Sequence, residues 1–385
     1  MKERWAGEFI FRNPTHSECD STLFLTPGSR FQVAFEIEGG HDSVDLQQCI
    51  GKISILNGEY KEAKKILIQC LTMQKAEHGD HSPSLFRTMY YLGISLHHMG
   101  QHSHSLTILL AAENILQSTD KDTDVRIAHT QFWVGRQYFA ENEFQQSYNY
   151  FLKALAGYKE FSLDDIEIIV QTLHSLGNSQ LAMGEKQLAL KSYNAAITLV
   201  EKNDKAQCTK SYSKVQFSAG ELYGNLESYD EARDCYEKSL KSLPAGSNDK
   251  VAATLGALGS VYTKQAKHNE AKEVLTGAYN MFKESIGPHS DETISTAYRL
   301  AQLLDSMNNY RSAMEYYEIC LKAKEIKQGK GHKTVGTILF NMGKNFFSQF
   351  EYDVALNCLE RVSACKERCK FVFLFANCSQ LCQPI

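Results

Sequence analysis

By residue type, the groups best suited to chemistry lie near the end of the chain. Cys365, Cys369, Cys378 and Cys382 form two C-x3-C pairs separated by eight residues. Four thiolates can hold zinc tetrahedrally, and paired thiols can oxidise. Here the spacing departs from the usual C-x2-C pairs, and the intervening stretch is almost wholly apolar. Unremarkable tail thiols are the simplest account, with zinc and oxidised pairing as the alternatives. His81, His289 and His332 sit far apart at related positions, which suits helix capping rather than a shared metal. His97 and His98 are adjacent and point to different sides of any helix. The chain contains no G-x-x-x-x-G-K-[ST], H-E-x-x-H or G-x-S-x-G sequence, so no phosphate loop, zincin helix or nucleophile elbow is expected. The expectation is a non-enzymatic protein without catalytic, cofactor or metal residues.

Composition narrows the class. The 385 residues are 43% hydrophobic and 22% charged, with a net charge of −4. That balance argues against a nucleic-acid binder, which needs a strong basic footprint. The start, Met1 to Phe11, holds basic residues but no apolar stretch of signal-peptide length. The run Phe371 to Phe375 is too short to cross a bilayer, which takes roughly 20 residues. The odd number of cysteines, 11, fits reduced thiols in the cytosol. A cytoplasmic location without membrane insertion is the expectation. Only 6 prolines occur, which suits a chain built of helices.

The elements emerge from one period. Gly51, Gly93, Gly135, Gly177, Gly220, Gly259, Ala301 and Gly343 follow one another at steps of 42, 42, 42, 43, 39, 42 and 42 residues. Twelve residues after each stands a second small residue: Ala63, Ser105, Ser147, Ala189, Ala232, Ala271, Ala313 and Ala355. Sixteen after stand Leu67, Leu109, Phe151, Tyr193, Tyr236, Leu275, Tyr317 and Leu359. Nine after, aromatics recur as Tyr60, Phe144, Tyr229, Tyr310 and Tyr352. Two small residues facing each other let two helices cross closely, and large apolar residues fill the space around the crossing. Such a fixed period marks a repeat array. Ser82, Asp124, Thr209, Asn248 and Ser290 are placed to cap first helices, with Pro83 at a first helical position.

This pattern resembles the tetratricopeptide repeat family, drawn out from the common 34 residues to about 42. The linkers Gly79-Asp80-His81-Ser82-Pro83 and Gly287-Pro288-His289-Ser290 look like those of kinesin light chains and nephrocystin-type proteins. The resemblance implies an all-α fold: a right-handed superhelical solenoid of about eight helix-turn-helix repeats over residues 41–365. Residues 1–40 form a flank, with Phe31, Val33, Phe35 and Ile37 alternating as in a short strand. Residues 366–385 form an irregular cysteine-rich tail, and the chain reads as part or a variant of a longer protein.

The resemblance also implies that first helices line a concave groove. Its sites are six and three residues before the reference small residue, and one and four after, which share a helix face. They include Lys52 in the first repeat and Arg87 and Tyr90 in the second. Phe132 and Arg136 follow in the third, His174 and Asn178 in the fourth, and Lys214 and Phe217 in the fifth. The sixth repeat offers only Ala253, Gly256, Ser260 and Thr263. Cations with interleaved aromatics suit a partner peptide that is acidic and carries an apolar anchor. A carboxylate clamp of the chaperone-tail kind fails, because Ser218, Ala253 and Ala257 stand where its later residues are needed. The leading expectation is a scaffold or adaptor for partner peptides, with a kinesin-light-chain-like role in cargo or complex assembly. A regulatory sensor module and an accessory role to an enzyme are the alternatives.

Overall fold

A computed structural model describes residues 41–118, 125–160, 165–203, 209–363 and 365. The predicted strand, the candidate cap Asp124 and Cys369, Cys378 and Cys382 lie outside them. The described residues hold sixteen α-helices and no strand. They divide into two compact units, one up to Asp120 and one from Lys121.

The first unit holds two repeats, α1 (His41–Leu56) with α2 (Tyr60–His78), and α3 (Leu85–His98) with α4 (His102–Gln117). The second begins with α5 (Val125–Ala140), α6 (Phe144–Glu160), α7 (Ile166–Ala182) and α8 (Lys186–Lys202). It continues through α9 (Thr209–Asn225), α10 (Tyr229–Ser242), α11 (Asn248–Lys264) and α12 (His268–Ser285). It closes with α13 (Asp291–Ser306), α14 (Tyr310–Gln328), α15 (Lys333–Ser348) and α16 (Tyr352–Ser363). Within each unit every helix packs on its sequence neighbours, and α5, α7, α9, α11 and α13 also touch one another in succession. These odd-numbered helices are the first helices of their repeats, so they form a continuous face.

The small residues act at the crossings as expected, with one refinement. A methyl group added at Gly51, Gly93, Gly135, Gly177, Gly220 or Gly259 would meet the large side chain sixteen residues on, at under 3.0 Å. The second small residue is fully buried beside it, and Ser105 Oγ donates to the Gly93 carbonyl at 2.7 Å. The glycine therefore makes room for Tyr193 or its equivalent, while the second small residue brings the backbones together. Close packing of this kind tolerates little added volume.

The turn inside each repeat follows a second rule. The residue seven after the reference position has positive φ in all eight repeats: Gly58, Gly100, Asn142, Gly184, Glu227, Ala266, Asn308 and Phe350. The next amide then bonds the carbonyl five residues back, as in Glu185 N to Gln180 O at 2.8 Å. This is a left-handed helix stop that satisfies orphan carbonyls. Gly184, at φ 88°, adopts it freely. Phe350, at φ 66°, pays for its Cβ.

Caps depart from expectation in places. Ser290 does cap α13, accepting from Thr293 N at 3.1 Å, and His332 caps α15 through Nδ1. Ser82 instead opens a turn: Leu85 N bonds Ser82 O, and α3 starts at Leu85, so Pro83 precedes the helix. Asn248 is the first residue of α11 rather than its cap. Asp165 caps α7 by accepting from Ile168 N.

Candidate functional site

The face predicted to bind peptides is formed by first helices in both units, and each unit has its own set of residues. In the first unit, Lys52 is exposed with Nζ 5.9 Å from the centre of the Tyr91 ring. Arg87 is exposed, and half-buried Tyr90 stacks on Phe86 at 5.8 Å. Gln48, expected on the same face, is buried and donates to Thr88 Oγ1 at 2.8 Å.

In the second unit the face begins with Arg136 on α5. Its guanidinium lies 4.5 Å from the Trp133 ring centre and 5.9 Å from that of Phe132. Among the described residues no carboxylate pairs with it. Burial alone pulls its pKa below the ordinary arginine value. A cation stacked on indole keeps its edge donors free for an anion.

On α7 two predicted residues are tied to the second helix of their own repeat and to the first helix of the next. His174 Nε2 lies 2.9 Å from Ser218 Oγ on α9, and its ring packs against Tyr193 at 5.7 Å. Burial, and then the nearby Lys214 charge, pull the imidazole down to about 4. His174 is therefore neutral at pH 7 and serves as a polar joint. Asn178 accepts a hydrogen bond at 2.6 Å from Tyr193 OH through Oδ1. Burial raises the Tyr193 pKa, so the hydroxyl stays protonated and remains the donor. With Oδ1 occupied, the Asn178 amide hydrogens are the free end of the side chain.

On α9, Lys214 is exposed, and half-buried Phe217 packs on Tyr236 at 5.6 Å. Glu221 lies one turn further on, its carboxyl raised by burial and partly lowered again by Arg299. Arg299 reaches from α13 over the small residues of α11. It donates to Gly256 O and Ser260 Oγ, both at 3.3 Å. The face beside the sixth repeat is thus occupied by the chain's own arginine.

One predicted residue is misplaced. Phe132 is 2% exposed and packs with Phe151, Tyr158 and Leu176. It belongs to the core and does not line the face. Spacings of three and four fix which residues share a side of a helix, but not where the next helix covers it. Gln48, three residues before Gly51 as Phe132 is before Gly135, is buried in the same way. Residues one after the reference position form a more open row: Lys52, Arg136, Asn178 and Glu221 are at least partly exposed, while Ile94 in the second repeat is buried. Tyr193 was not singled out from the sequence as part of this face, and Trp133 and Ser218 were weighed only as positions where a carboxylate clamp fails. Tyr193 carried a signal, since a hydroxyl at a position often filled by leucine needs a partner.

Among the described residues no group of three or more metal-ligating side chains is placed to hold an ion. No described helix is long and apolar enough to cross a membrane.

Comparisons agree with this architecture. Residues 44–118, 211–284 and 250–326 match the tetratricopeptide repeat family. The chain is 23% identical over 294 residues to Protein KINESIN LIGHT CHAIN-RELATED 2 of Arabidopsis thaliana, covering 74% of this chain and 44% of that one. It is 21% identical over 346 residues to KINESIN LIGHT CHAIN-RELATED 1 of the same plant, covering 85% and 55%. The chain spans about half the length of these relatives. The structure of the apo form of RapI superposes with a TM-score of 0.59 at 13% identity, over 89% of this chain and 99% of that one. That likeness concerns the fold alone.

Proposed function

We propose that this chain, a tetratricopeptide repeat protein, is a non-enzymatic scaffold whose second unit holds an acidic partner peptide on α5, α7 and α9. The observation that carries this reading is Arg136: a half-buried, stacked guanidinium without a carboxylate partner among the described residues. Leaving such a charge uncompensated is costly, and a ligand carboxylate relieves it. Lys214 steers the same ligand, and the Asn178 amide is held ready to donate to it. Trp133, Phe139 and Phe217, all partly exposed, supply the apolar contact first assigned to Phe132. The resemblance to kinesin light chain-related proteins supports a role in bringing cargo or complex partners together.

The test is association kinetics of a captured partner with full-length chain. Arg136→Glu combined with Lys214→Glu should slow association and flatten its salt dependence, because exposed charges mainly steer encounter. Partner binding that survives both changes in a folded protein would place the contact on another surface.

A further inference from the structure

A second, differently charged site lies on the outer edge of the second unit, where the third and fourth repeats meet. A cavity of about 650 Å³ opens between the first turns of α6 and α8 and the end of α7. Its size falls in the range of ligand pockets, roughly 300–1,000 Å³. The walls are apolar: Phe144 and Tyr148 on α6, Met183 in the turn, and Leu188 on α8. Leu188 is 41% exposed, a large aliphatic side chain left facing solvent.

The floor is Gln180, 6% exposed. Ser192 Oγ donates to its Oε1 at 2.7 Å, which orients the amide. The Nε2 group has no acceptor among the described residues, so a buried side chain turns a donor toward the cavity. The rim is acidic. Glu143 and Glu185 stand at the starts of α6 and α8, where a negative charge suits the helix dipole. Both are exposed, and among the described residues neither is in an ion pair. Among the described residues no lysine or arginine lines the cavity.

We propose that this cavity is a docking site for a partner segment in which an apolar side chain stands beside lysine or arginine. The apolar side chain fills the space between Tyr148 and Leu188. The basic group meets Glu143 and Glu185, and a backbone carbonyl of the segment accepts from Gln180. The charge is opposite to that around Arg136, so the two surfaces select different ligands. The site does not rest on the peptide reading of the inner face.

The probe is an array of short Gly/Ser peptides with a central Leu, Met, Phe or Ser, flanked on both sides by Lys, Gln or Glu. Full-length protein should be retained by Lys-flanked apolar peptides about tenfold better than by Glu-flanked ones. Glu143→Lys with Glu185→Lys should invert that order, a gain that misfolding does not produce. Glu143→Gln with Glu185→Gln should erase the order without inverting it, and it serves if the reversal fails to fold. Leu188→Glu should remove the advantage of an apolar centre. Arg136→Glu should change none of these. Equal retention of Lys- and Glu-flanked peptides overturns the proposal. So does a Lys preference that survives the rim changes, or one that Arg136→Glu abolishes. Loss of acidic-peptide binding by Arg136→Glu, with the cavity result intact, bears only on the inner face.

Discussion

The Tyr193 hydroxyl reaches under α7 and donates to Oδ1 of Asn178 at 2.6 Å. The ring that carries it fills the space left by Gly177. One side chain therefore serves both the core and the ligand-facing surface. Tyr193→Phe keeps the ring and deletes the bond. It should cost about 1 kcal/mol in stability and let the Asn178 amide turn. Urea unfolding should register the first effect, and a weaker hold on acidic peptides the second. Unchanged peptide affinity would mean that the orientation of Asn178 does not matter to binding.

Gly177→Leu tests the crossing itself. The new side chain must displace the Tyr193 ring, so a loss of about 3 kcal/mol or more is expected from overpacking. Gly343→Ala is the comparison, because an added methyl there sits 3.4 Å from Leu359, an ordinary contact. Its unfolding midpoint should stay close to that of the parent.

His174 sets a pH dependence. Its folded pKa of about 4 lies below the ordinary value of 6.5, so the folded protein holds it neutral. The unfolded chain takes up a proton first as pH falls. The stability held through neutral His174 is complete above pH 6.5 and is lost between there and about 4. The full loss is about 3 kcal/mol. His174→Gln should flatten that portion of the curve. Equal slopes for parent and variant between pH 7.5 and 5 would remove His174 as the cause.

The repeat was legible because its physics is local and periodic: a glycine, a second small residue and a large apolar residue, in fixed phase. The groove was legible only in part. Arg136 and Asn178 are partly exposed and Lys214 is exposed, whereas Phe132 lies under neighbouring side chains that no spacing within one helix reveals. The turn rule was hidden for a different reason. Gly58, Gly100 and Gly184 announce a left-handed residue, but Glu227, Ala266 and Phe350 adopt it under the constraint of the packed helices. The bonds from Tyr193 to Asn178 and from His174 to Ser218 join separate helices, and one sequence does not announce such pairs.

The account rests most heavily on Arg136, and the chain supplies its own reporter. Of its 2 tryptophans, Trp133 lies directly beneath that guanidinium, and Trp5→Phe leaves it as the sole indole. The tightest acidic peptide selected on an array is titrated into this variant while Trp133 emission and peptide anisotropy are followed together. The two signals should saturate at the same concentration, and Arg136→Glu should abolish both in a folded protein. Anisotropy that saturates while Trp133 emission stays constant, or binding that persists in Arg136→Glu, would contradict the assignment of this face as the ligand site.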